Sequence, residues 1–83
     1  ADMVMVKPGL PYLDMITRTK ESFGVPVVAF QVSGEYAMLR CAADAGAFDF
    51  EEAALEALTC FRRAGTDAII SYYATDAAGW LNP

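Results

Sequence analysis

The amino-acid sequence predicts an α/β fold on a parallel sheet of three strands, and three observations carry the prediction. Short apolar runs at residues 3–6, 25–32 and 68–73 are rich in β-branched or aromatic residues and are bounded by Gly or Pro, as strands are. Their hydrophobicity is nearly continuous instead of alternating with polar residues, the pattern of strands covered on both faces of a parallel sheet. The stretches between them have helical spacing, so the order reads β-α-β-α-α-β-α, and right-handed crossovers then lay the strands parallel.

Each helix has its own local reason. In residues 11–23, Leu13, Ile16 and Phe23 fall on one side, Arg18, Lys20 and Glu21 lie off it, and Gly24 supplies the stop. After the second run, Ser33 is placed to cap a second helix with Glu35 in its first turn, and the Ala-rich stretch that follows ends at Gly46. Asp49, with Glu52 three residues on, starts a third helix. Ala54, Leu55, Leu58 and Phe61 form its buried stripe, and Arg62, Arg63 and Gly65 mark its end. A short last helix, capped by Thr75 or Asp76, reaches Trp80 and Leu81 before the final Pro83.

Composition narrows the function classes. The chain has 83 residues, 55% of them apolar, and a net charge of −5. It is one domain at most, and at this size it buries only about 60–65% of the surface of its unfolded chain. The six basic residues are scattered and make no basic stripe, which sets nucleic-acid binding aside. No apolar run approaches the roughly 20 residues that span a bilayer. With no His and two cysteines, Cys41 and Cys60, the chain has no ligand set for a structural zinc. Both cysteines sit in predicted helices among apolar neighbours and read as reduced core residues, as Met3, Met5, Met15 and Met38 read as core gap-fillers; unbridged cysteines favour the cytoplasm. The chain opens on Ala1-Asp2 and runs at once into apolar residues, without an initiator Met, so it is expected to be a segment of something longer.

In a parallel sheet ligands bind at the C-terminal edge. Reading the residue that ends each run gives Lys7, Ser33 and Tyr72, one amine and two hydroxyls. Lys7 continues an apolar strand and is followed by Pro8-Gly9, which turn the backbone away. Two readings stand. A strand-end lysine reaches solvent, or a lysine held among apolar groups loses its proton near neutral pH and attacks a ketone or aldehyde to form an imine. For Ser33 the alternatives are a helix cap whose hydroxyl is occupied, or a helix start at Ser33-Gly34-Glu35-Tyr36 that holds a substrate carboxylate. Tyr72 and Tyr73 are adjacent and so point to opposite faces, one toward the helices and one toward the pocket.

Three segments carry a family resemblance: Met5-Val6-Lys7-Pro8-Gly9-Leu10-Pro11-Tyr12-Leu13-Asp14, Gln31-Val32-Ser33-Gly34-Glu35-Tyr36, and Ile69-Ile70-Ser71-Tyr72-Tyr73-Ala74. Together with Trp80-Leu81 they closely resemble porphobilinogen synthase (5-aminolevulinate dehydratase), in order and over essentially the whole chain. The resemblance implies that residues 1–83 are the C-terminal portion of a (β/α)8 barrel of the TIM type, part of a single domain. It implies an enzyme, a lyase that condenses two molecules of 5-aminolevulinate into porphobilinogen for haem and other tetrapyrroles. By resemblance Lys7 matches the Schiff-base lysine for the substrate that becomes the propionate-bearing half, and Ser33 and Tyr72 match the hydroxyls that bind that substrate's carboxylate.

The resemblance also implies a second active-site lysine, a lid, and zinc or magnesium, all held by residues outside this segment, and a homo-oligomer that is octameric in the family. Lys20 is in mid-helix and does not match the second amine, nor do Cys41 and Cys60 match the metal cysteines. Two other expectations stay open: a catalytically inactive α/β fragment that self-associates through its exposed sheet edges, and another lysine-imine enzyme such as an aldolase, which the Ser33 and Tyr72 segments disfavour more than Lys7 does.

Overall fold

The structure is a computed structural model that describes residues 2–82; Ala1 and Pro83, which open and close the sequence, lie outside the described residues. Strands β1 (Val4–Val6), β2 (Val27–Gln31) and β3 (Ala68–Ser71) form one parallel sheet in the order β1-β2-β3. Val6 pairs with Ala29, and Gln31 pairs with Ser71, so the strands end close together along one edge. A 3-10 turn (Leu10–Tyr12) leads into α1 (Leu13–Phe23) between β1 and β2. Two helices, α2 (Ser33–Asp44) and α3 (Phe50–Ala64), join β2 to β3, and α4 (Ala74–Leu81) follows.

The predicted stops are where the sequence puts them. Gly24 and Gly65 end α1 and α3 in the left-handed region, at φ 63° and 104°, where a side chain is disfavoured. Asp49 caps α3 by accepting the Glu52 N–H at 3.1 Å. Two predicted caps are not formed. Ser33 is the first residue of α2, with Val32 in the cap position, and Thr75 and Asp76 lie inside α4, which starts at Ala74.

Both crossovers put their helices on one face of the sheet, where α3 packs between α1 and α2 and against α4. Val27 and Ala29 point into that layer and meet Ile16 of α1 and Phe61 of α3, all four fully buried. A second cluster joins Ala54, Tyr73 and Ala77 to the aromatic rings of Tyr36, Phe50 and Trp80. The pivot between layers is tight at Gly9, whose N–H donates to the Phe30 carbonyl at 2.9 Å and whose Cβ, if it had one, would lie 2.5 Å from the Phe61 ring.

The expectation of strands covered on both faces is corrected here. Only β2 has both faces at least half-covered, because it alone has a strand on each side. On the face away from the helices Met5, Ala68 and Ile70 are exposed. The cysteines and methionines are corrected for the same reason. The packed side of α2 carries Glu35, Tyr36 and Leu39, which leaves Cys41 exposed; Cys60 is half-buried. Met3, Met5, Met15 and Met38 are all exposed, and so is Phe23 beyond the packed stripe of α1.

Candidate active site

The three residues singled out from the sequence stand at one edge. Lys7 follows the last residue of β1, Ser33 opens α2 two residues after β2 ends, and Tyr72 follows the last residue of β3. All three are exposed. Lys7 is therefore not enclosed in apolar surroundings by the described residues; it lines an open groove of about 350 Å³ walled by Val4, Val6, Tyr12 and Met15, and neither Ser33 nor Tyr72 lines that groove. Ser33 makes no side-chain cap bond, so its hydroxyl is not used up in starting the helix. The first backbone N–H groups of α2 beside it have no intrahelical acceptors.

The phase of the tyrosine pair is settled by packing. Tyr73 is buried and donates from its hydroxyl to the Ala54 carbonyl at 3.3 Å, while Tyr72 is 59% exposed at the edge. The Tyr72 ring lies 5.8 Å from that of Tyr36, one helical turn beyond Ser33, which brings β3's end and the start of α2 together. Burial pushes the Tyr73 phenol above its ordinary value of 10.0; the side chains of Gln31 and Ser71 oppose the rise, and the Glu35 carboxylate adds to it.

Behind the edge are two buried polar side chains that sequence reasoning missed. Gln31 is fully buried, and its Oε1 accepts from the Ser71 hydroxyl at 2.9 Å. Ser71 Oγ in turn accepts the Tyr73 N–H at 3.3 Å, bracketing Tyr72. Glu35 is 3% exposed, and its Oε1 accepts the Leu10 N–H at 2.8 Å, just beyond the Lys7-Pro8-Gly9 turn. Burial raises the Glu35 carboxyl above its ordinary value of 4.5, against the lowering effect of the backbone N–H groups of Leu10, Val32 and Gly9. Gln31 Nε2 and Glu35 Oε2 are buried without hydrogen-bond partners among the described residues. The one signal in the sequence was their spacing, each two residues from Ser33 in a segment otherwise apolar or small.

Lys20 is at the opposite edge. Its Nζ lies 2.6 Å from Asp67 Oδ2, which also accepts the Val27 N–H at the start of β2, so it is a structural cation remote from Lys7. Among the described residues no three His, Cys, Asp or Glu side chains come together to hold a metal ion. The described residues do not fit the zinc or magnesium that the resemblance implies. Among them, too, no helix is long and apolar enough to cross a membrane.

Comparison with known proteins decides the family. The family model for delta-aminolevulinic acid dehydratase matches residues 1–80. The chain belongs to this family. The chloroplastic delta-aminolevulinic acid dehydratase of Chlamydomonas reinhardtii is 53% identical over 98% of the chain and 21% of its own length. The Synechococcus elongatus dehydratase is 56% identical over 98% of the chain and 25% of its own length. The crystal structure of the Toxoplasma gondii ME49 dehydratase (porphobilinogen synthase), in complex with the reaction product porphobilinogen, superposes with a TM-score of 0.93 at 55% identity, covering 96% of this chain and 23% of that one. The chain thus spans between about a fifth and a quarter of these dehydratases. Its three parallel strands and their helices are part of the (β/α)8 barrel of this enzyme family.

Proposed function

We propose that this chain supplies the imine-forming part of the active site of a porphobilinogen synthase, a hydro-lyase that joins two molecules of 5-aminolevulinate into porphobilinogen with loss of two waters. The observation that carries the reading is the family match along residues 1–80 together with Lys7, Ser33 and Tyr72 at the ends of three parallel strands. The Toxoplasma relative, crystallised with porphobilinogen, supports the same small-molecule chemistry here.

In this reading the unprotonated amine of Lys7 attacks the substrate's ketone carbon. A C–N bond forms, the carbonyl oxygen leaves as water, and the resulting imine withdraws electrons from the neighbouring carbon. Ser33 and Tyr72 hold the substrate carboxylate with their hydroxyls, and the free amides at the start of α2 favour the negative charge. Residues 1–83 act as one part of a single barrel domain, in a cytoplasmic homo-oligomer, with any metal held by other parts of the enzyme. The relatives include chloroplastic and bacterial forms.

One lysine at the edge takes one substrate into an imine, so the chain alone forms a Schiff base and does not turn over. Borohydride reduces that imine to a stable secondary amine. With 5-aminolevulinate and borohydride we expect a single covalent adduct on the chain, located at Lys7 by mass spectrometry and absent from Lys7→Ala. A folded chain that gives no adduct, or an adduct that persists in Lys7→Ala, overturns the proposal. The alternative, an inactive fragment that associates through its sheet edges, is favoured by the exposed apolar face of the sheet, and gives association without an adduct.

A further inference from the structure

We infer that Gln31 and Glu35 are positioning residues that set the span between the Lys7 amine and the Ser33 and Tyr72 hydroxyls. The inference rests on the reading of the site given above and adds to it two residues that touch no substrate.

The two flank Ser33 symmetrically, two residues before and two after, on the central segment of the fold. From there each reaches out to a different neighbour. Gln31 accepts from Ser71, whose oxygen also holds the N–H of Tyr73, so the backbone on both sides of Tyr72 is tied to β2. Glu35 accepts from Leu10, tying the turn that follows Lys7 to the first turn of α2. These bonds link residues 40 and 25 positions apart in sequence, and they add side-chain ties to the strand ends beside the backbone pairing of Gln31 with Ser71 and the Gly9 N–H bond to Phe30.

Their chemistry argues against a purely packing role. A buried carboxylate and a buried amide are costly in an apolar core, and here each leaves one polar atom without a partner among the described residues. Apolar side chains of similar volume would fill the same space at lower cost. What an apolar side chain cannot do is accept the Leu10 N–H or the Ser71 hydroxyl. Both bonds end on turns that carry proposed site residues.

A span between amine and hydroxyls matters only for a ketone that also carries a carboxylate. Levulinate has both groups; 2-pentanone has the same ketone with a methyl in place of the carboxylate. The test is reductive trapping of each at Lys7 by cyanoborohydride, read by mass spectrometry on the wild-type chain and on E35M, Q31M, S71A and E35Q, with circular dichroism to verify the fold. S71A removes the Gln31 bond from its other end, so the conclusion does not depend on Q31M folding. The wild-type chain is expected to trap levulinate in preference to 2-pentanone. In E35M, Q31M and S71A that preference falls about tenfold while trapping of 2-pentanone changes by less than about twofold, the size of effect small misplacements have on oriented groups. E35Q keeps an acceptor for Leu10 and keeps the preference. If the preference survives in the variants, or if both ketones slow together, the inference is overturned and the reading of the site stands. A wild-type chain with no Lys7 adduct from either ketone, or with no preference for levulinate, overturns the reading and this inference with it.

Discussion

At the residue scale the tightest constraint on the site is steric. Gly9 directly follows Lys7-Pro8, and its backbone is in the ordinary right-handed region at φ −70°, so glycine is not needed there for conformational freedom. It is needed for room. A Cβ at this position would lie 2.5 and 2.9 Å from two carbons of the Phe61 ring and 3.2 Å from the Phe30 carbonyl oxygen. Phe61 is fully buried against Ile16, Val27 and Ala29 and has nowhere to retreat. Gly9→Ala is therefore expected to destabilise the chain by about 1–3 kcal/mol, the range for overpacking a dense core. Urea unfolding measures it. Because the clash is with one ring, Phe61→Leu should cost less in the Gly9→Ala background than in the wild type, and strictly additive losses would show that the strain lies elsewhere.

At the scale of elements, α1 is fastened to the sheet at the edge remote from the site. Lys20 in its last turn meets Asp67, the residue before β3, and the same carboxylate accepts the N–H of Val27 in β2. The hydrogen bond from Lys20, and after it the Val27 N–H, hold the Asp67 carboxyl below its ordinary value of 3.8. A carboxyl with a depressed value in the folded state contributes stability above its unfolded value and loses it as pH falls through the folded one. The urea midpoint of the wild-type chain should therefore drop as pH is lowered below 3.8, and Asp67→Asn should start lower at neutral pH and lose less on acidification. Parallel pH profiles for the two chains would remove Asp67 from the acid response. The elements themselves were legible in the sequence because their signals are local: apolar runs for the strands, Gly24 and Gly65 for the helix ends, Asp49 and Glu52 for a cap. So was the placement of Lys7, Ser33 and Tyr72 at one edge of the sheet, since parallel strands end on one edge whatever their packing, whereas the groove that Lys7 lines includes neither hydroxyl. Gln31 and Glu35 were not legible, because the partners that explain them lie 40 and 25 residues away. Cys41 was misjudged because an Ala-rich helix does not declare which side it buries.

At the scale of the whole molecule, the apolar excess has more surface to occupy than the fold gives it. A compact chain of this length has a radius of gyration of about 12 Å, whereas this one has 13.2 Å and extents of 40 × 26 × 18 Å. The shape is a slab, with every helix on one face of the sheet and the other face bearing Met5 at 48% and Ile70 at 42% exposure. In a barrel that face lines the packed interior and the free sides of β1 and β3 pair with further strands. Left alone, such a face with two unpaired strand edges is a surface for association. The isolated chain is expected to self-associate, with the mass from light scattering rising with concentration. Met5→Lys and Ile70→Lys put charges on the open face and should lower that mass while circular dichroism stays the same. If the wild-type chain remains a monodisperse, folded monomer across the concentration range, the open face is not an association surface. If the mass rises but the Lys variants leave it unchanged, the contact is made through the strand edges or the helix layer and the sheet face is not its seat.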